Sequence, residues 1–144
     1  EVNPYADVAK GAYIVACSDR LDDFGLGMNE VVLLASGSEV STLVSGAELL
    51  RKDGVKVRIV SVPSEGLFRQ QPVEYQQSII PVGAKIFGMT AGLPVNLQGF
   101  LIGADPKSKV WGLESFGFSA PYKVLDEKLG YTAENVYKQV KSIL

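Results

Sequence analysis

Three short segments place hydroxyl groups where parallel strands are expected to end. They are residues 36–39 (Ser-Gly-Ser-Glu), 63–65 (Pro-Ser-Glu) and 116–119 (Phe-Gly-Phe-Ser). Each stands at or near the start of an expected helix, and a helix N-terminus presents free N–H groups that bind anions readily. The candidate residues for an anion site are therefore Ser36, Gly37, Ser38, Glu39, Ser64 and Ser119.

The same serines have an ordinary structural role as an alternative. Ser is favoured at helix N-caps, where its side-chain oxygen accepts a backbone N–H bond. Neither phosphate fingerprint, G-x-x-x-x-G-K-[ST] or G-x-G-x-x-G, occurs at the end of an expected strand. Gly25-Leu26-Gly27 precedes a strand and so fails the structural test for a dinucleotide turn. Helix capping is therefore favoured over anion binding. A contact with a neighbouring domain is a further hypothesis for residues 36–39.

The chain contains no histidine, and this absence removes several classes of chemistry. Ser-His-Asp and Cys-His nucleophiles, histidine metal ligands and a histidine general base are excluded for this chain alone. Cys17 is the only cysteine, so it forms no internal disulfide, and we interpret it as a small buried apolar residue. Glu39 and Glu114 form a carboxylate pair only if the fold brings them together. We predict no catalytic, cofactor-binding or metal-binding residue in this chain.

A polar segment, residues 18–29, carries three acidic side chains, Asp19, Asp22 and Asp23. Such a group is one way to hold a cation, but the spacing does not match the Asp-x-Asp-x-Asp-Gly calcium pattern. We interpret the segment as a solvated turn.

Isolated charged and aromatic residues have default positions that the sequence favours. Arg58, Arg69 and Lys85 have no clustered partner, so we expect them on the surface. Trp111 stands between apolar residues, so we expect it in the core.

The bulk composition is that of a globular domain. The chain has 144 residues, of which 47% are hydrophobic and 21% charged, with a net charge of −2. These values fit one domain with a real core and provide no electrostatic basis for binding nucleic acid or an anionic membrane. No apolar run approaches the roughly 18 residues of a membrane span, and the polar N-terminus lacks the apolar region of a signal peptide.

The apolar run 31–35 predicts a strand that is buried on both faces. From Val40 onward, apolar residues recur at helical spacing, Arg51 and Lys52 lie in the last turn, and Gly54 follows as the C′ residue. Residues 55–62 predict the next strand. Strand, helix and strand with short connections make a parallel βαβ unit.

The remaining elements follow the same alternation. Strands are predicted at 11–16, 84–89 and 110–114, and helices at 72–80, after Ser119 as far as Gly130, and from Thr132 onward. Ser64 is expected to cap a short helical turn, and residues 93–103 form a short helix or an irregular segment. We predict one three-layer α/β domain over residues 1–144, with 1–10 as an N-terminal arm or linker. Its sheet has about five strands, mostly parallel, with helices on both faces.

Five segments occur in an order known from one enzyme family. They are residues 10–15 (K-G-A-Y-I-V), 35–40 (A-S-G-S-E-V), 54–64 (G-V-K-V-R-I-V-S-V-P-S), 116–121 (F-G-F-S-A-P) and 130–136 (G-Y-T-A-E-N-V). Each resembles a motif of the C-terminal domain of transketolases, and the resemblance implies that one strand of the mostly parallel sheet is antiparallel. The resemblance covers nearly the whole chain, and the combination is specific although each motif alone is weak.

The resemblance implies a function for the whole enzyme. Transketolases, enzymes of the pentose phosphate pathway, transfer two-carbon ketol units between sugar phosphates, using thiamine diphosphate and a divalent cation, Mg or Ca. They are homodimers, expected in the cytoplasm or an organelle. The N-terminal and middle domains hold the cofactor at the subunit interface, and no family catalytic or cofactor residue maps onto this sequence. The chain would then be structural and dimer-supporting, inactive alone, with the remaining domains of the same polypeptide as partners.

The chain departs from the family pattern at one place. Residues 88–92 read Gly-Met-Thr-Ala-Gly where transketolases commonly have V-E-A-G, so Thr90 replaces an acidic residue, and the usual W-x-x-Y is missing just after. A divergent transketolase, a pyruvate dehydrogenase β subunit and a deoxyxylulose phosphate synthase therefore stay open. An alternative of another class is a free-standing α/β module that binds an anion or a nucleotide. Because the chain does not begin with Met, we expect it to be a C-terminal piece of a longer polypeptide.

Overall fold

The chain folds around a five-stranded sheet, which a computed structural model describes with its helices over residues 7–18, 24 and 27–144. The strands are β1 (Tyr13–Cys17), β2 (Glu30–Ala35), β3 (Lys56–Ser61), β4 (Ile86–Met89) and β5 (Lys109–Trp111). Their order in the sheet is β1-β3-β2-β4-β5. All six residues of the central strand β2 are buried, as expected for an apolar run covered on both faces.

The sheet has the predicted mixture of directions. β2 to β5 run parallel, and β1 pairs with β3 in the antiparallel direction. In the register, Ala35 lies opposite Ser61 and Met89, and Met89 lies opposite Trp111. The carboxyl ends of the four parallel strands therefore meet at one edge, and the antiparallel β1 begins at that same edge.

Helices cover both faces, so the predicted three-layer α/β architecture is confirmed. The helices are α1 (Glu39–Lys52), α2 (Glu65–Arg69), α3 (Val73–Ile79), α4 (Val95–Gln98), α5 (Tyr122–Leu129) and α6 (Ala133–Lys141), with 3-10 turns at Val8–Lys10 and Gly99–Leu101. α1 and α6 pack on one face of the sheet through residues such as Leu43 and Val136. α2, α3 and α4 pack on the other through Phe68, Ile79 and Leu97.

The predicted helices and strands agree with the structure in type and differ from it at their ends. The strand predicted at 110–114 is only Lys109–Trp111, and the strand predicted at 84–89 begins at Ile86. The segment 93–103 contains α4 and the turn Gly99–Leu101, which bury Leu97 and Phe100. Burial of these two apolar side chains orders a segment whose glycine content left its structure open.

Part of two sequence interpretations lies outside the described residues. Asp19, Asp22 and Asp23 are in this group, so their solvated turn stays a prediction. The same holds for residues 1–6 of the expected arm, whereas Val8–Lys10 form a 3-10 turn.

Arg58 is not on the surface, and this prediction was wrong. Its side chain is 1% exposed, and Nη1 donates to the carbonyl oxygens of Ser78 at 2.8 Å and Ile79 at 3.2 Å. Its guanidinium carbon also lies 4.5 Å from the centre of the Phe24 ring. The guanidinium therefore donates hydrogen bonds to the last carbonyl groups of α3, which accept no N–H bond within the helix.

Other side chains lie closer to their predicted positions. Arg69 is exposed and pairs with Glu65, and Lys85 is half-buried with its ammonium 3.2 Å from the Met28 carbonyl. Trp111 packs against the α1–α6 core but is only half-buried, because its indole N–H reaches the Leu129 carbonyl at 3.1 Å. Cys17 is also half-buried rather than buried.

We expect Tyr137→Phe to raise the pKa of the Asp53 carboxyl toward its ordinary value. The Tyr137 hydroxyl donates to Asp53 Oδ2, and the Lys141 ammonium lies 3.4 Å from the same oxygen, so both hold that pKa low. A carboxyl with a lowered folded-state pKa adds stability above its unfolded pKa, and this stability is lost as the pH falls through the folded pKa. The stability difference between wild type and variant should therefore shrink below about pH 4.

NMR titration of Asp53, together with urea unfolding at neutral and acidic pH, checks this expectation. Tyr122→Phe is the control, because within the described part of the chain the Tyr122 hydroxyl makes no bond to a carboxylate. An Asp53 pKa that is the same in wild type and Tyr137→Phe would contradict the assignment.

Candidate functional site

The candidate site is the edge where the parallel strands end, here called the carboxyl edge. It consists of residues 36–39 after β2, 62–64 after β3, 90–94 after β4 and 112–121 after β5. In open α/β sheets this edge is the usual place for ligands. All six sequence candidates lie on it.

Ser38 does not cap α1, which corrects the prediction. It has helical backbone angles of φ −63° and ψ −28°, whereas a capping residue takes an extended conformation. Its hydroxyl instead donates to Glu39 Oε1 at 2.7 Å. Gly37, with φ +65°, makes the turn that precedes it. The first turn of α1 therefore has no side-chain cap and already carries a carboxylate.

Ser64 is a helix cap, as predicted. Its backbone is extended, with φ −151° and ψ 106°, and its side-chain oxygen accepts from the Leu67 N–H at 3.3 Å. Its own N–H donates to the Gly11 carbonyl at 3.0 Å. Ser64 therefore starts α2 and joins it to the beginning of β1.

Ser119 does not cap α5, which corrects a second prediction. The residue that precedes the helix is Pro121, and no side chain accepts a capping bond there. Pro121, with φ −54° and ψ 143°, is the residue immediately before α5, so Ser119 lies two residues too early to cap the helix. Ser119 lies in an exposed segment, because every residue from 114 to 124 is exposed.

The predicted residues do not converge on one point. Ser38 and Glu39 are bonded to each other, but within the described ranges no hydrogen bond joins residues 36–39 to Ser64 or Ser119. Glu114 is exposed in the loop after β5, and within the described ranges no hydrogen bond joins it to Glu39. The structure therefore assembles no carboxylate pair from these two residues.

Sequence reasoning missed a polar contact at this edge that involves Tyr131. Its hydroxyl donates to the Thr90 carbonyl at 2.7 Å, which links the start of α6 to the end of β4. Burial raises the pKa of the Tyr131 phenol, and the negative charge of Glu39 raises it further. The Thr90 hydroxyl accepts from the Gly92 N–H at 3.1 Å and so forms a local turn. Tyr131 belongs to the 130–136 motif, which identified a helix start but not this contact.

The chemistry of the edge does not fit a diphosphate cofactor. Diphosphate binding uses free N–H groups and cations, but the first turn of α1 faces the carboxylate of Glu39. Over residues 7–18, 24 and 27–144, no group of three or more acidic, cysteine or histidine side chains is placed to hold a metal ion. The Ser64 and Thr90 hydroxyls are engaged in a helix cap and a local turn, which stabilises the local backbone.

In the part of the chain that the structure describes, no helix combines the length and apolar character needed to cross a membrane.

Three Ser→Ala variants distinguish a hydroxyl that caps a helix from hydroxyls that do not. We expect Ser64→Ala to lower the free energy of unfolding by about 1 kcal/mol, because it removes the α2 cap. Ser38→Ala and Ser119→Ala should stay within about 0.5 kcal/mol of wild type, since neither hydroxyl caps a helix. Urea unfolding of the three variants measures this order. A loss at Ser38 that equals the loss at Ser64 would contradict the assignment of the caps.

The comparisons with known proteins agree on one family. The family model described as "Transketolase-like TK C-terminal domain" matches residues 11–132. The chain is similar to transketolase 1 from Vibrio vulnificus (strain YJ016), with 39% identity over 141 residues, 96% of this chain and 20% of that protein. It is also similar to the transketolase from Staphylococcus aureus (strain MW2), with 39% identity over 137 residues, 94% of this chain and 19% of that protein.

The fold agrees with the same family. The structure is similar to that of the transketolase from Leishmania mexicana, with a TM-score of 0.77 and 32% identity over 95% of this chain and 18% of that one. The chain therefore spans about a fifth of the length of the curated relatives it matches. These matches confirm the resemblance that the five sequence motifs indicated.

Proposed function

Because this chain belongs to the transketolase-like C-terminal domain family, we propose that it serves as the C-terminal domain of a working transketolase. The whole enzyme transfers two-carbon ketol units between sugar phosphates with thiamine diphosphate and a divalent cation. The observation that carries the proposal is the extent of the match, which includes 96% of this chain but only 20% of the Vibrio vulnificus relative. The remaining part of such an enzyme supplies the catalytic and cofactor-binding groups.

Within that enzyme, the domain's role is packing rather than chemistry. The chain has no histidine, and three hydroxyls at the carboxyl edge, those of Ser38, Ser64 and Thr90, bond to groups within three residues of themselves. We propose that residues 36–39 contribute to a contact with a neighbouring domain, since Gly37 and Ser38 are exposed and Glu39 is half-buried. The same proposal includes a homodimeric assembly, a cytoplasmic location and a role in the pentose phosphate pathway.

Enzyme assays on two polypeptides test this function. The polypeptide encoded by the complete reading frame should transfer a ketol unit from a ketose phosphate to an aldose phosphate, and the rate should depend on thiamine diphosphate. The 144-residue chain alone should have no such activity and should show no saturable heat of binding with thiamine diphosphate. A reading frame that stops just upstream of Glu1 would refute the proposal.

A phosphate titration distinguishes the proposed transketolase domain from a free-standing α/β module that binds an anion or a nucleotide. If the chain were such a module, inorganic phosphate or a nucleotide would bind to it saturably, and chemical shifts at residues 36–39 would move. We expect no saturable change, because Glu39 places negative charge at the start of α1.

A further inference from the structure

We propose that an exposed aromatic surface at the carboxyl edge is the contact through which this domain docks on the remaining part of the same polypeptide. The surface, here called the aromatic patch, consists of Phe116, Phe118, Tyr122 and Val124. The inference rests on the proposed function, because that function supplies the remaining part. It goes further by naming the residues and the occupant.

The exposure of these side chains is the first observation. Phe116 is 98% exposed and Tyr122 is 69% exposed, while Phe118 and Val124 are about half exposed. They lie within nine residues of chain, and every residue from 114 to 124 is exposed. Single exposed apolar residues are ordinary, but three aromatic side chains in one contiguous segment mark an interaction surface.

The helix that carries half of the patch is the second observation. None of the eight residues of α5, all of which the structure describes, is buried. Its C-terminal end is held to the domain, since the Leu129 carbonyl accepts from Trp111 Nε1 at 3.1 Å and the Asp126 carbonyl accepts from the Tyr131 N–H at 2.8 Å. Its N-terminal end carries Tyr122 and Val124 into solvent. Leu125 and Leu129 of α5 are half-buried, so Tyr122 and Val124 are the apolar side chains of this helix that stay exposed.

The base of the loop is firmly positioned, so the patch is presented in a defined place. The Leu113 N–H donates to the Gly92 carbonyl at 2.9 Å. A Cβ atom at Gly112 would lie 2.7 Å from that carbonyl oxygen and 2.9 Å from the Pro94 nitrogen. At the other end, the Lys128 ammonium lies 4.1 Å from the centre of the Phe118 ring. These contacts set the direction of the loop before any partner is present.

The size of the patch favours a tethered partner over a second free copy of the chain. Its three aromatic side chains present on the order of 400 Å², whereas a stable complex between separate proteins buries about 800 Å² on each side. A domain of the same polypeptide is held close by the chain, and its high effective concentration lets a smaller apolar contact suffice.

A second apolar feature provides a matched control. A groove of about 240 Å³ beside α3 is lined by residues that include Val73, Val82 and Ile102. Ile102 is 83% exposed, but Val82 and Ile102 precede strands β4 and β5 and so lie toward the opposite edge of the sheet. Docking through the carboxyl edge leaves this groove exposed.

Hydroxyl-radical footprinting tests the proposal by comparing the 144-residue chain with the complete polypeptide. Phe116 and Tyr122 should oxidise about fivefold more slowly in the complete polypeptide, because side chains at the centre of an interface lose most of their accessible area. Ile102 should oxidise at the same rate in both. A Phe116→Ser/Tyr122→Ser double variant should lower the melting midpoint of the complete polypeptide and leave that of the 144-residue chain unchanged, whereas Ile102→Ser should change neither.

Two results would overturn the proposal. One is equal oxidation of Phe116 in the two polypeptides. The other is dimerisation of the 144-residue chain that Phe116→Ser abolishes, which would make a second copy the occupant. Ketol transfer by the complete polypeptide is measured in parallel. An active enzyme with an unprotected patch refutes the docking surface alone, and an inactive polypeptide with a protected patch refutes the proposed function alone.

Discussion

Replacing Arg58 with Ala is expected to lower the free energy of unfolding by about 3 to 5 kcal/mol. The side chain is 1% exposed and donates to the Ser78 and Ile79 carbonyls at the end of α3. Alanine leaves those carbonyls without this donor and opens a cavity beneath the Phe24 ring, which the guanidinium covers. The change removes a large part of the roughly 5 to 15 kcal/mol that stabilises a typical domain.

Arg69→Ala is the matched control for this prediction. Arg69 is exposed and pairs with Glu65 four residues earlier on α2, and exposed pairs of this kind contribute about 0 to 1 kcal/mol. Urea unfolding of both variants, with m-values compared, measures the difference. Equal losses for the two arginines would show that Arg58 does not hold the α3 terminus. Arg58→Met separates packing from hydrogen bonding, because it restores apolar volume without the donors.

The second large effect is expected at Gly11, where alanine should destabilise the fold by about 3 kcal/mol or more. Gly11 has φ +86°, and a Cβ atom there would lie 2.3 Å from the Ser64 carbonyl oxygen and 2.4 Å from the Phe68 nitrogen. Both neighbours are backbone atoms, so neither can rotate away. The contact matters because Gly11 joins the start of β1 to the capped start of α2.

Two other glycines separate backbone strain from steric clash. Gly37 has φ +65° and open space around its Cβ position, so Gly37→Ala should show only the left-handed strain of about 1 kcal/mol. Gly66 lies in α2 with open space, so Gly66→Ala should stabilise by about 0.5 to 1 kcal/mol. The expected order of stability is Gly66→Ala, wild type, Gly37→Ala and Gly11→Ala. A Gly11→Ala loss no larger than that of Gly37→Ala would contradict the clash.

The carboxyl edge contributes to the identification of the chain, and we propose that it serves packing. Residues 35–40 match a family motif, yet the Ser38 hydroxyl bonds to its neighbour Glu39 and the α1 terminus faces a carboxylate. Among the exposed residues at this edge are large apolar side chains, namely Phe116 and those at the N-terminal end of α5. This edge binds ligands in many α/β proteins, and in this chain we propose that it packs against protein.

Local patterns in the sequence were sufficient for most of the fold. The run 31–35 predicted a doubly buried strand, and β2 is buried at every position. Gly54 as the C′ residue, the end of α5 at Gly130 and the Ser64 cap were also predicted correctly. These features depend on residues within one turn or one strand, so neighbouring sequence contains the information that determines them.

Only the tertiary structure decided which polar groups are buried and what each hydroxyl does. Arg58 lies on the face of β3 opposite to Val57 and Ile59, as the alternation of a strand predicts. Its burial, however, depends on α3 and Phe24, which lie about 20 and 34 residues away in the sequence. The roles of Ser38 and Ser119 depend on where each helix begins in the folded chain: Ser38 has helical backbone angles, and Pro121 rather than Ser119 precedes α5. The sequence by itself indicated the family and excluded histidine chemistry in this chain, whereas the antiparallel direction of β1, the burial of Arg58 and the exposure of the aromatic patch depend on long-range packing.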